Sequence, residues 1–197
     1  MKKTIVFILG FFLISDYLEA QTISKHGFVV NGGIGHINSK VDKSGFDWVE
    51  TKYRFGGSVG YRLRFKKQEF KHFHYDIDVN IGIKFLKPYK YFEYGYTSSG
   101  GDPVYYSSIG LTSLYSFAEN LSAGFGLEPT YHIKHRNFLE KNKIDIPVVA
   151  KIIYDLKVVE IGISGKYGLF DVFETENQKS GKNIEVQFSV FIPLNKR

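Results

Sequence analysis

Two neighbouring stretches decide the fold: KYRFGGSVGYRLRF at residues 52–65 and FHYDIDVNIGIKF at residues 73–85. Apolar and polar side chains alternate along both stretches, and the alternation continues less strictly through six more segments. A period of two residues is typical of a β-strand with one apolar and one polar face. The predicted strands are 27–37, 52–65, 73–85, 105–117, 121–134, 144–156, 158–169 and 183–193.

Strand length and connector length predict how the sheet closes. A strand of ~12 residues rises ~40 Å and, when tilted by ~40°, covers the ~25 Å apolar band of an outer-membrane barrel. Long connectors mostly alternate with short turns along the chain, as in the up-and-down barrels of that membrane. The sequence therefore predicts an all-β fold, an eight-stranded antiparallel up-and-down transmembrane β-barrel formed by residues 21–197.

The N-terminal residues predict export. Lys2 and Lys3 precede an apolar run at 4–15, and Ala20 offers a cleavage site, which is the layout of a secretory signal peptide over residues 1–20. Twelve apolar residues are too few for a membrane-spanning helix. The chain of 197 residues has no cysteine, which excludes disulfides, a thiol nucleophile and Cys-ligated metals. The predicted location is the outer membrane of a Gram-negative bacterium.

Alternation alone does not say which face lines the interior. A soluble lipocalin-like ligand carrier would place the apolar face inward. Two features favour the opposite arrangement: aromatic residues gather at strand ends, as in membrane-interface girdles, and small residues crowd the polar face, as a narrow bore requires. The glycines on the polar face are Gly33, Gly35, Gly56, Gly60, Gly82, Gly110, Gly124, Gly126, Gly162 and Gly168.

Charges of both signs on the polar face predict ion pairs inside the bore, because isolated charges there would be desolvated. A turn centred near Glu69 would place Arg62 opposite Asp76, and Arg64 opposite His74. The predicted lumenal polar network is Arg54, Arg62, Arg64, His74, Asp76, Asp78, Lys84, Glu128, His132, Lys151, Glu160 and Glu185.

Chemistry other than ion pairing receives weaker support from the sequence. His72 and His74 share a face with Asp76 and Asp78, which is the residue set of a divalent metal site, but a lumenal polar column explains the same pattern. Glu128, His132 and Lys134, with Ser164 on a later strand, leave open an outer-membrane lipid A-modifying enzyme. The His-X-Ser motif of such deacylases is absent. We therefore predict no catalytic, cofactor-binding or metal site, and no enzyme.

The connector KPYKYFEYGYTSSGGDP at 87–103 is the most distinctive one. It either extends two strands above the membrane or forms an exposed aromatic surface for an extracellular protein or glycan. The residues of this contact surface are Trp48, Tyr89, Tyr91, Phe92, Tyr94 and Tyr96. The other expected partners are outer-membrane lipid and the barrel insertion machinery. Basic residues are spread over the chain, which argues against nucleic acid.

These patterns resemble the small outer-membrane β-barrel family, the eight-stranded porin-like domains of Gram-negative bacteria. The signal peptide followed by Gln21 is similar to those of Bacteroidetes exported proteins. The resemblance covers the mature chain and implies a structural or surface-interaction role. General porin activity is not expected, because side chains fill a bore of eight strands. One departure is that the last strand, ending FSVFI at 188–192, is followed by PLNKR rather than by a terminal aromatic residue.

Overall fold

The computed structural model describes residues 22–41, 48–66, 72–92, 95–98, 102–133, 142–172 and 178–194. The predicted signal peptide lies outside the described residues. No helix among the residues described is both long and apolar enough to span a membrane. The described strands are β1 (Thr22–Val41), β2 (Trp48–Lys66), β3 (Phe73–Phe92), β4 (Gly95–Ser98), β5 (Asp102–Ala118), β6 (Leu121–Leu127), β7 (Thr130–Ile133), β8 (Ile144–Asp145), β9 (Val148–Asp155), β10 (Glu160–Tyr167) and β11 (Gln178–Pro193).

These strands form one closed antiparallel sheet. β1 pairs with β2 on one side and with β11 on the other, so the first and last strands close the barrel. β4 and β5 both pair with β3, β6 and β7 both pair with β5, and β8 and β9 continue the next wall. Each of these three couples makes one barrel strand. The predicted eight-stranded up-and-down barrel is confirmed.

Two adjacent barrel strands are interrupted by proline. β6 and β7 are separated by Glu128 and Pro129, and β8 and β9 by Ile146 and Pro147, because proline has no N–H to donate to a sheet. The wall is nevertheless continuous there. Ile109 N donates to the Pro129 carbonyl at 3.0 Å, and Glu128 N donates to the Pro147 carbonyl at 2.9 Å.

The first three strands are longer than predicted, with 20, 19 and 20 residues. These strands extend beyond the apolar segments from which the sequence predicted their ends. A β-bulge between Tyr53 and Phe55 leaves Arg54 without a Cα partner in β3. Because a bulge inserts one residue, it reverses the alternation beyond it, and Lys52 lies opposite Lys87.

The apolar face points outward. Val79 and Ile81 are 53% and 65% exposed, whereas their chain neighbours Asp78 and Asn80 are buried. The soluble lipocalin-like alternative requires the reverse. Phe65 and Phe55 mark the two aromatic edges of this apolar outer face and lie ten residues apart along β2. At a strand tilt of ~40°, the apolar belt between the two edges is ~25 Å high.

The predicted register of the β2–β3 hairpin is wrong by two residues. Arg62 lies opposite Asp78 and Arg64 opposite Asp76, rather than opposite Asp76 and His74. A shift of two leaves every side chain on its predicted face, because the period of a strand is two. The observed register gives both guanidinium groups a carboxylate, with which they form bidentate pairs.

Candidate functional site

Two bidentate ion pairs lie in the middle of the bore. Arg62 Nε and Nη2 donate to the Asp78 carboxylate at 2.6 and 2.9 Å. Arg64 Nε and Nη2 donate to the Asp76 carboxylate at 2.7 and 3.0 Å. All four side chains are buried. The planar fork of arginine matches a carboxylate, so the β2–β3 hairpin orders its own charges.

Further ion pairs cross the bore and join this hairpin to the opposite wall. Lys151 of β9 donates from Nζ to Asp78 Oδ2 at 2.9 Å. Arg64 Nη1 donates to Glu160 Oε1 of β10 at 2.7 Å. Because each crossing places charged side chains in the path along the barrel axis, the ion pairs obstruct the bore as well as brace it.

A second polar layer lies further along the axis. Glu128 accepts hydrogen bonds from Lys166 Nζ at 2.8 Å and from Ser108 Oγ at 2.9 Å. Lys84 of β3 pairs with Glu185 of β11. The predicted network does not include Lys166, although its position on the polar face of strand 158–169 was a usable signal.

Apolar side chains also occupy the bore, which sequence reasoning missed. The Phe191 ring lies beneath the guanidinium groups of Arg62 and Arg64, with centroid distances of 5.1 and 5.9 Å. Strict alternation places Phe191 on the same face as Gln187 and Ser189, so the sequence pattern could have predicted its inward position. A buried apolar cluster lies toward one end of the barrel and consists of Ile37, Leu86, Val104 and Val172.

This apolar cluster lies at the end where the long connectors are, called here the loop end. The opposite end, at the short turns 119–120 and 156–159, is called the turn end. Between the two ends, a cavity beside Asp78, Glu128 and Lys166 has a volume of about 10 Å³. A water molecule needs roughly this much space. The described side chains beside this cavity therefore leave room for about one water molecule at this point of the bore.

Several of the groups considered for metal binding or enzyme chemistry have structural partners. Asp76 and Asp78 bind arginine and lysine, and no group of three or more His, Asp or Glu suited to a metal occurs among the described residues. Glu128 is held by Ser108 and Lys166. His132 and Ser164 are buried in the bore. Lys134 lies outside the described residues.

The remaining predicted lumenal residues divide by position. His74 is buried near the turn end, where it lines a cavity with Glu160. The backbone of Arg54 belongs to β2, but its side chain lies outside the description.

The structure brings part of the predicted contact surface together at the loop end. The rings of Tyr89 and Tyr96 are 6.0 Å apart, and Tyr96 is exposed. Lys52 Nζ and Lys87 Nζ lie 5.1 and 5.3 Å from the Tyr89 ring centroid. Sequence reasoning missed both lysines, and the bulge in β2 explains the position of Lys52.

The other members of that surface are only partly described. Trp48 and Tyr91 are opposite each other in β2 and β3, and Phe92 ends β3, but their side chains lie outside the description. Tyr94 lies outside the described residues altogether.

No protein-family model matches this sequence, and no curated protein matches it. Solved structures give matches in fold. The outer membrane protein OprG from Pseudomonas aeruginosa aligns over 86% of this chain and 94% of its own, with 10% identity and a TM-score of 0.40. The outer membrane protease OmpT from Escherichia coli aligns over 88% and 96%, with 10% identity and a TM-score of 0.36.

The outer membrane protein Ail from Yersinia pestis aligns over 83% of this chain and 99% of its own, with 17% identity and a TM-score of 0.31. At these identities the similarity concerns the fold alone, and we transfer no residue role from any of the three proteins.

Proposed function

We propose that this chain is a small outer-membrane barrel of a Gram-negative bacterium, with a sealed bore and a structural or surface-interaction role. The observation that carries the proposal is the filled interior. Ion pairs cross the bore, a buried apolar cluster lies at the loop end, and the cavity between the polar layers has a volume of about 10 Å³. A barrel filled in this way works through its outer surface rather than as a general porin.

The outer face supports the membrane location. Apolar side chains cover it, and aromatic pairs mark both edges: Phe55 stacks on Phe85 at 4.6 Å, and Phe73 lies 4.9 Å from Tyr115. A continuous apolar belt of this height would be far larger than the patches that soluble monomers expose. Lipid is therefore the partner of the belt, and the barrel insertion machinery is the partner that assembles it.

The loop end supports a role in surface contact. With the turn end toward the periplasm, Tyr89 and Tyr96 project on the extracellular side beside Lys52 and Lys87. Exposed tyrosines combine a large contact area with a hydroxyl group, which suits a protein or glycan ligand.

Planar-bilayer recording tests the sealed bore. The full-length protein, purified in detergent and reconstituted, is expected to give no stable conductance steps, while a general porin in the same bilayer gives them. Regular large steps from this protein would contradict the proposal.

Glycan-array and cell-binding assays test the contact surface. Replacing both Tyr89 and Tyr96 by alanine is expected to abolish binding of the glycan or protein that the wild type retains. The matched control is Tyr115→Ala with Tyr154→Ala, two outward tyrosines near the turn end. Equal loss in both double variants would argue against a loop-end surface.

The lipid A mass of cells that overproduce the protein tests the enzyme alternative. We expect it to be unchanged, and a changed mass would indicate a lipid A-modifying activity.

A further inference from the structure

A polar cavity opens at the turn end of the barrel. Its volume is about 610 Å³, within the range of ~300–1,000 Å³ typical of small-molecule sites. It lies between the short turns and the ion pairs of the bore. Residues of β1, β2, β3, β9 and β10 and of the turn between β5 and β6 line it, so the walls are rigid strands for most of their depth.

Ion pairs fix the floor of this cavity. Lys25 Nζ donates to Asp155 Oδ2 at 2.6 Å and to Glu160 Oε1 at 2.8 Å. Arg64 Nη1 donates to the same Glu160 oxygen at 2.7 Å. Two cations thus hold one carboxylate in a single orientation, and side chains held in this way are preorganised for a ligand.

Two buried polar atoms of the lining have no hydrogen-bond partner among the residues that the structure describes. They are Glu160 Oε2 and His74 Nε2, and their residues are 2% and 7% exposed. Buried polar atoms are paired in the great majority of cases. Lys66, exposed at the mouth of the cavity, makes no salt bridge with any residue that the structure describes. The cavity therefore offers one carboxylate oxygen, one imidazole nitrogen and one ammonium group that no described residue pairs with.

The lining of the cavity carries charges of both signs. The described lining residues include three cations and three carboxylates: Lys25, Arg64, Lys66, Glu119, Asp155 and Glu160. Lys66 lies at the end of β2, whereas Asp155 and Glu160 lie on β9 and β10, with β1 and β11 between β2 and β10 in the closed sheet. Because Lys25 and Arg64 already occupy Glu160 Oε1, the groups left for a ligand are Glu160 Oε2 on one wall and Lys66 on the other, and a ligand with a single charge can pair with only one of them. A ligand with both signs satisfies both walls.

We propose that this cavity binds a small zwitterion, a molecule with a free ammonium and a free carboxylate group such as an amino acid or a short peptide. The ammonium group donates to Glu160 Oε2. The carboxylate accepts from Lys66 Nζ and from His74 Nε2–H. The site goes beyond the proposed function, since it needs neither an open bore nor an extracellular partner.

Isothermal titration of the full-length protein in detergent micelles tests this site, with triglycine as the probe. Triglycine is expected to bind saturably. N-acetyl-triglycine and triglycine amide, which each lack one charge, are expected to bind roughly ten-fold more weakly, because a hydrogen bond to a charged group is worth about that factor.

The variant Lys66→Gln separates the two ends of the probe. It is expected to weaken triglycine roughly ten-fold and to leave the affinity for triglycine amide unchanged, since the amide has no carboxylate to lose. Lys157→Gln, at an exposed lysine of the turn end that does not line the cavity, is the matched control and is expected to bind like the wild type. Circular dichroism checks that both variants are folded.

Three results would overturn the proposal: no saturable binding of triglycine at millimolar concentration, equal affinity for the capped and uncapped peptides, or equal loss in the Lys66 and Lys157 variants. None of them bears on the sealed bore, which bilayer recording tests separately.

Discussion

The two ends of the bore are built from opposite chemistry. At the loop end, four apolar side chains (Ile37, Leu86, Val104 and Val172) pack together and exclude water. At the turn end, charged side chains surround an open cavity of about 610 Å³. The same alternating pattern produces both ends, so alternation decides which residues face inward but not whether the interior is filled. In the part of the chain that the structure describes, the loop end is therefore apolar and packed and the turn end polar and open, and substitutions at the two ends should have different consequences.

The largest effect is expected in the layer that both ends share. Arg62→Ala leaves the carboxylates of Asp78 and Asp76 with fewer partners in a buried site, and the loss of one member of a buried ion pair costs about 3–5 kcal/mol. Urea unfolding from lipid vesicles measures it. Lys157→Ala, in an exposed turn, is the control, for which we expect a change near zero. A loss below about 1 kcal/mol for Arg62→Ala would mean that the ion pairs contribute little.

The apolar end is tested by Leu86→Ala. Leu86 is fully buried in the loop-end cluster, so truncation leaves a cavity and costs about 2–5 kcal/mol. Leu127→Ala, at an outward leucine that is half exposed, should cost less, because lipid can fill the space. The same unfolding assay compares the two. Equal losses would show that the loop end is not packed as a core.

The outer face of the barrel is tested by Val79→Arg. This valine faces outward in the middle of the belt, and an arginine there costs about 2–4 kcal/mol in a bilayer. The identical substitution at Val158, in a turn and 77% exposed, should leave the free energy of unfolding unchanged. If both variants unfolded like the wild type, the belt would not face lipid.

A smaller effect is expected at Gly82, where the neighbouring atoms leave no space for a side chain. A Cβ atom at Gly82 would lie 2.5 Å from Cζ of Tyr106 and 2.6 Å from the Gly57 carbonyl oxygen. Gly82→Ala therefore overpacks the bore and costs about 1–3 kcal/mol. Nothing lies within 4 Å of a Cβ atom at Gly32, and Gly32→Ala is the control. An unchanged Gly82→Ala variant would indicate that Tyr106 moves freely.

The sequence predicted the strand number and the facing of the side chains, because both follow from a period of two residues. It did not predict the register of β2 against β3, which depends on the geometry of the connection between them. It also missed the bulge in β2, since Arg54 fits the alternation as well as its neighbours do.

The candidate sites were harder to predict than the fold. Lys25 meets Glu160 across a separation of 135 residues, and only the closed barrel brings them together. Phe191 and Val29 are buried apolar residues on an inward face that is mostly polar, so an average over the face conceals them. The turn-end cavity arises where several short turns meet, and no single segment has a signature for it.

The ion pairs that cross the bore have a consequence for assembly. Lys25 lies on β1 and Arg64 on β2, and both bind Glu160 of β10. In the closed sheet, β10 is two strands from β1 and three from β2, across the seam between β1 and β11. In an unclosed sheet Arg64 would keep Asp76 as a partner, whereas Lys25 would lose Asp155 and Glu160. Closure of the seam therefore gives Lys25 its carboxylate partners, and we expect this pairing to favour the closed barrel over an open sheet.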